Sequence, residues 1–506
     1  METNRTFHIR CWTETYQGAS WDKTQVFHII SKNDAPYYNI MTANKSGKTK
    51  SDIFWWLLII GLPIVGIAAV NLPPTLLLIA DKSANQSPKN LDANYRYQFS
   101  ATLRNNPNQK EAIQQEIAFY QQRLAVDSRS GLNRAALAGA YLKMARATGE
   151  GGWFLLAEQA AQRSIALLPF DNKGALLVLA RIAEARHDFA TALRFAKQVG
   201  FDNEDAIALS VTSHLATGKV SEASIAAETL VNRIPNLGSL TLRALVRESQ
   251  GRDAEVLQDY RQAMAAEEPG EIAGSARARS LLGRFYARRG EFVQAKALFL
   301  EALRLVPRYP LALIYLADLE TRQGNYREAE ANYSKVSAYS GPVATVFDRL
   351  VDRGMARVKD LQGDAIASGR LRDKAEAGLR QEQVSGGFGH RRDLASLLLE
   401  KGRSQDVAEA LLLMQEEVKI RRDAVTLDIF AWALSGTGEF QKADRVMGEI
   451  MRSGIRDAGM FYRAGAIART LGKDAESRAY FQKAKEIDPI FGDRDRQVLG
   501  LGSYEF

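Results

Sequence analysis

Apolar positions divide the chain into three unlike stretches. Residues 53–80, IFWWLLIIGLPIVGIAAVNLPPTLLLIA, run for 28 positions with no charged side chain and no amphipathic period. About 20 apolar residues at ~1.5 Å each cross a hydrocarbon core of ~30 Å, so this run predicts one membrane-spanning or signal-anchor helix. Trp55 and Trp56 fall where an interfacial aromatic belt sits, and Pro73-Pro74 ends or kinks the helix. The alternative is a buried core helix, but 28 uncharged positions without an amphipathic period are too many for one. Further on, Asn106-Pro107 supplies an N-cap and a first-turn proline. Ile113, Ile117, Tyr120 and Leu124 then recur at helical spacing, which gives one apolar face. From about residue 131 the helical patterns come in pairs and repeat.

The clearest unit is 276–309, ARARSLLGRFYARRGEFVQAKALFLEALRLVPRY. Small Gly283 lets two helices approach and Tyr286 fills the space a turn later. Gly290 makes the turn, Ala295 and Ala302 allow close packing around Phe299, and Pro307 stops the second helix. Unit 310–343 follows 34 residues on, with Leu316, Ala317, Gly324, Ala329 and Tyr333 in register. Units 424–457 (Phe430, Ala431, Leu434, Gly438, Ala443) and 458–491 (Ala464, Gly465, Gly472, Phe481, Ala484, Pro489) show the same 34-residue step. The order of leucine-glycine, tyrosine, glycine, alanine, aromatic, alanine and proline resembles the tetratricopeptide repeat. Weaker copies at 131–169, 173–203, 204–236, 237–269 and 388–423 bring the count to nine and extend the resemblance over most of 131–491. The pattern departs from the family where a tryptophan is often found: Arg279 holds that place in the best unit.

The resemblance implies an all-α helical-repeat solenoid of antiparallel helix pairs, preceded here by one N-terminal transmembrane helix. The expected organisation is a tail over 1–52, the span over 53–80, a linker with a leading helix over 81–130, a first block of repeats over 131–343, and a second over 388–506 that includes a C-terminal tail. Residues 344–387 break the rhythm and read either as a degenerate repeat or as an irregular helical joint ending in SGGFG. The polar, aromatic stretch before Met41 lacks a helical period, which makes Met41 a candidate start. Lys45, Lys48 and Lys50 precede the span and Lys82, Lys89 and Arg96 follow it within twenty residues, a tie that the basic excess over the whole N-terminal tail breaks. That balance favours a cytoplasmic N-terminus, with the array outside the cytoplasm, as in a single-pass protein of a bacterial inner membrane.

Composition changes this picture little. A net charge of +8 over 506 residues is too thin to point to nucleic acid. The single cysteine, Cys11, supplies neither an internal disulfide nor a multi-cysteine metal site. His8, His28, His187, His214 and His390 are isolated and form no metal-type pair at helical spacing. Gly47-Lys48-Thr49 has the end of a phosphate loop, but Thr42 stands where its first glycine belongs. No nucleophile elbow occurs. The reading is a protein with no catalytic residue, cofactor or metal, whose partner is a protein or peptide.

The repeat register places Arg277, Arg284 and Arg288 along the inner groove of unit 276–309, with Arg181 and Arg392 in matching slots elsewhere and Trp432 and Tyr462 at groove positions of the last two units. Arginine forks bind carboxylate or phosphate, and interface aromatics anchor partners. These seven residues are the candidate partner groove. The family resemblance implies a membrane-anchored adaptor for protein–protein interaction, as in bacterial envelope assembly or polysaccharide export. The alternatives are an accessory protein that grips a polyanion or polysaccharide through the arginines, and a soluble adaptor.

Overall fold

In the computed structural model, residues 91–99, 109–148, 150–337, 345, 347–384 and 390–498 are described; the apolar run 53–80, the candidate start Met41 and Asn106-Pro107 lie outside them. All regular structure among the described residues is helical. No helix among them is long and apolar enough to cross a membrane. The leading helix, Gln109–Val126, buries Ile113 and Ile117 in the core of the first pair and packs Tyr120 and Leu124 beside them.

Ten helix pairs follow. Pairs one to three are Gly131–Thr148 with Gly151–Leu167, Lys173–Ala185 with Phe189–Val199, and Glu204–Ala216 with Val220–Arg233. Pairs four to six are Leu237–Ser249 with Asp253–Ala265, Ile272–Ala287 with Phe292–Leu305, and Pro310–Gln323 with Tyr326–Ser337. Pairs seven and eight are Asp348–Leu361 with Ala365–Val384, and Arg391–Lys401 with Ser404–Ile420. Pairs nine and ten are Ala424–Gly436 with Phe440–Arg452, and Ala458–Thr470 with Asp474–Ile487, after which a short helix, Asp493–Val498, closes the described chain. The first helices of most neighbouring pairs touch one another, while the second helices hardly meet, so the first helices lie on the inner radius.

Size complementarity explains the pairing. A β-carbon added at Gly283 would stand 2.5 Å from the Phe299 ring, and one at Gly465 would stand 2.9 Å from the Phe481 ring. In these two pairs the glycine of the first helix is therefore the socket for the aromatic of the second. Asn172, Asp188, Asn203, Asp423 and Asp457 cap the following helices by accepting from backbone N–H groups. Leu282 is wholly buried beside Leu298 in the core of pairs four and five. Leu282→Ala is expected to cost about 2–5 kcal/mol in urea unfolding, and a loss below ~1 kcal/mol would show that this core collapses around the gap.

Asp348–Leu361 and Ala365–Val384 supply a seventh pair that two cores divide between them. Phe347, Val351 and Val358 pack with pairs five and six, apart from Ala375 and Leu379, which join the core of pairs eight to ten. The junction between first helices is polar instead. Arg353 donates to Ser396 Oγ at 2.8 Å, Arg353 and Arg357 both reach Glu400 Oε1 at 2.5 Å, and Arg349 lies 2.7 Å from His390 Nε2. A stripe of arginines at helical spacing cannot follow an apolar repeat pattern, which is the physical reason the sequence loses its rhythm here.

The array also meets itself edge to edge. The turns inside pairs two to six face the junctions that join pairs eight, nine, ten and the C-terminal helix. Arg422 N–H donates to the Ala216 carbonyl at 3.0 Å. A β-carbon at Gly251 would fall 2.0 Å from the Gly454 carbonyl oxygen, so no larger residue fits there. Arg456 pairs with Asp253 at 2.9 Å and Arg288 with Asp457 at 3.5 Å.

A segment ahead of the leading helix, residues 91–97, packs on pairs four and five instead of pair one. Leu91 and Tyr95 sit in their core, and Tyr97 N–H donates to Glu301 Oε1 at 3.1 Å. Arg279 explains the attachment: its Nε donates to the Tyr95 carbonyl at 2.7 Å while its guanidinium pairs with buried Glu267. The arginine in the tryptophan slot is thus the clasp of this strap. Nearby Glu271 is pushed up to about 7 by burial and by the charges of Glu268 and Glu267, against a hydrogen bond from the Glu268 backbone.

Candidate functional site

The inner face of the array is rich in arginine, and most of that charge is already engaged. Arg181 is buried, with Glu184 at 3.2 Å and Asp205 at 3.6 Å. Arg284 holds Glu248 at 3.1 Å, and Arg392 meets Asp423 at 3.5 Å and Thr426 Oγ at 3.4 Å. Arg288 spends its charge on Asp457 across the edge contact. Arg277 is half-buried among Tyr260, Tyr309 and Tyr315, with Arg181 nearby; burial and then that arginine pull its guanidinium below the usual range, against the three tyrosines. Of the seven groove candidates, Arg277 and Arg284 share the helix Ile272–Ala287, Arg288 caps its end, and Arg181 and Arg392 lie on pairs two and eight. Arg392 belongs to the edge contact.

The two aromatic candidates are covered from within the chain. Trp432 is 2 % exposed and lies under the Arg463 guanidinium at 4.7 Å, which Asp428 holds at 2.8 Å. Groove registers place a residue on the inner face, but neighbouring first helices close over that face at pairs nine and ten. Tyr462 is held between Phe481 at 5.3 Å and Phe491 at 5.7 Å, and its hydroxyl accepts from Arg496 at 2.5 Å. The C-terminal segment occupies the place a partner would take.

An exposed surface of a different kind lies on the opposite edge of pairs one to three, where the loops between pairs run. Val126 (92 % exposed), Leu132, Leu167, Phe170 (83 % exposed) and Phe201 all stand open to solvent there. The loops are contiguous. Ser164 Oγ donates to the Gly131 carbonyl at 2.6 Å, Lys173 pairs with Asp202 at 3.0 Å, and Arg233 donates to the Asp202 carbonyl at 2.6 Å. Those hydrogen bonds hold the loop backbones and leave their apolar tips outward. Loop tips are ordinarily polar, so Phe170 directly after Pro169 and Phe201 directly after Gly200 were the signals in the sequence, outside the repeat pattern that draws attention to the helices.

Among the described residues no group of three or more histidine, cysteine, aspartate or glutamate side chains is placed to hold a metal ion. What the arrangement offers chemically is charge pairing on the inner face and apolar area on the outer rim.

No protein-family model matches the chain, and no curated protein matches it. Solved structures similar to it include a tetratricopeptide repeat protein from Parabacteroides merdae, with 18% identity over 47% of this chain and 92% of that one at a TM-score of 0.35. The APC/C hetero-tetramer Cut9-Hcn1 is similar at 10% identity over 77% of this chain and 93% of that one, with a TM-score of 0.33. A monomeric mutant of IFIT1 with m7Gppp-AAAA is similar at 14% identity over 70% and 71%, with a TM-score of 0.36.

Proposed function

We propose that this chain is a membrane-tethered scaffold that docks a protein partner on the apolar rim of its first three helix pairs. The rim carries the reading: Phe170 and Phe201 on loops between pairs, with Val126, Leu132 and Leu167 at helix ends, are apolar side chains that are costly to leave in water, and large apolar residues at such places mark contact surfaces. The arginine groove supports a polyanion less well, because an added anion must displace carboxylates that already hold Arg181, Arg284, Arg288 and Arg392. The apolar run 53–80 supplies the tether. A place on the outer side of a bacterial inner membrane, in envelope assembly or polysaccharide export, is the more specific form of the same proposal, and protease protection of the array in intact cells reads it.

The test is crosslinking and affinity capture from intact membranes with the native chain and with Phe170→Asp/Phe201→Asp. Both side chains are exposed, so the thermal midpoint should move little, while recovery of the crosslinked partner should fall at least about tenfold. Equal recovery by both chains would remove the rim from the interface.

A further inference from the structure

We propose that His187 makes the edge contact of the array a pH-sensitive latch, closed at neutral pH and loosened by acid. The first observation is conformational. At the turn inside pairs three to ten, the left-handed position is glycine: Gly218, Gly251, Gly290, Gly324, Gly363, Gly402, Gly438 and Gly472, with φ between 68° and 82°. Pair two carries His187 in that slot at φ 62°. A β-carbon is disfavoured in this region, and such strain persists where the surroundings hold it.

The second observation is what holds it. The His187 ring stacks on Phe189 at 5.8 Å and meets the edge of the His390 ring at 6.4 Å, and its Nε2 lies 3.4 Å from an Arg421 guanidinium nitrogen. His187 belongs to pair two, whereas His390 and Arg421 flank the two ends of pair eight, so one turn residue grips both edges. The charged groups facing this pocket come from every side. Arg349 arrives from pair seven, Arg392, Asp393 and Glu417 from pair eight, Arg421 and Asp423 from the junction after it, and Asp188 from the turn itself. Their carboxylates are committed: Asp423 to Arg421 at 3.0 Å and Arg392 at 3.5 Å, Glu417 to Arg391 at 3.3 Å, Asp393 to His390 at 3.6 Å, and Asp188 to the Thr191 N–H at 3.0 Å. A proton on His187 would thus add a cation beside Arg421 and Arg392. Burial, followed by Arg421 and Arg392, holds this imidazole well below its ordinary value.

The sign follows from linkage. With its value lowered in the closed state, His187 contributes fully above the open-state value of about 6.5, and that contribution is lost as pH falls from there toward the closed-state value. One histidine released to an ordinary value favours opening by about tenfold between pH 7.5 and pH 5.5.

Hydrogen exchange on the full chain reads the latch at the Arg422 amide, which bonds to Ala216 across the edge contact. Corrected for intrinsic rates, protection of the peptide containing Arg422 should fall about tenfold from pH 7.5 to 5.5 in the native protein. His187→Asn tolerates the left-handed turn without titrating, and His187→Gly removes the strain as well; in both, the change should be less than about twofold. Helix amides in Asp253–Ala265 should keep their protection throughout. Protection at Arg422 that does not change with pH, a tenfold loss surviving in His187→Gly, or a parallel loss in Asp253–Ala265 would each overturn the latch.

Discussion

Arg322→Ala is expected to cost about 3–5 kcal/mol and to free the C-terminal segment from the array. Arg322 is a buried crossroads at the end of the first helix of pair six. It pairs with Asp488 at 2.6 Å and with Asp495, donates to the Ala287 carbonyl at 2.6 Å, and lies over the Phe292 ring at 4.6 Å. Alanine would strand two carboxylates with little access to water; burial already pushes Asp488 upward, and Arg322 is the main group opposing it. The cost should appear as a lower urea midpoint, with faster hydrogen exchange across residues 488–498. Arg322→Met/Asp488→Asn/Asp495→Asn should recover more than half of the loss, because the penalty lies in the unpaired charges and not in the missing contact. A loss under ~1 kcal/mol would mean that the segment is held by Ile490 and Phe491 instead.

Arg279→Met is the second large effect, at about 3–5 kcal/mol. Methionine keeps the apolar stem of the side chain and loses the ion pair with Glu267, the bond to the Tyr95 carbonyl at 2.7 Å and that to the Ser275 carbonyl at 3.1 Å. The buried Glu267 would remain without its partner. Release of residues 91–97 should expose the bond after Arg96 to trypsin, so limited proteolysis separates loss of the strap from a general loosening of pair five. Glu267→Gln in the same chain should restore much of the stability without restoring protection at Arg96. Native-like protection in Arg279→Met would assign the strap to Leu91 and Tyr95 alone.

Both arginines lie in well-matched repeat units, yet their partners come from outside those units, and this shows how far the sequence could be read. The 34-residue step, Gly283 facing Phe299 and Gly465 facing Phe481 are short-range rules, and they locate the helix pairs of the best units correctly. The groove candidates were harder to place. Register alone sets Arg181, Arg284, Arg288 and Arg392 along the inner groove, but their carboxylate partners lie three to 169 residues away, and no periodicity connects them. Trp432 looked like an anchor because its slot faces inward; Arg463 from the next pair covers it. The apolar rim was present in the sequence as Phe170 and Phe201, yet a pattern search centred on helices passes over loop tips.

Helix spacing, turn glycines, caps and small-to-large packing are decided within about 34 residues, so local chemistry was enough to specify an all-helical array of stacked pairs. The strap on pair five, the division of pair seven between two cores and the closure of pair two against pair eight became known only from the folded chain. Each depends on a small rotation between successive pairs, summed over many of them. That sum brings Ala216 to Arg422 and His187 to His390, although neither partner leaves a mark in the other's repeat.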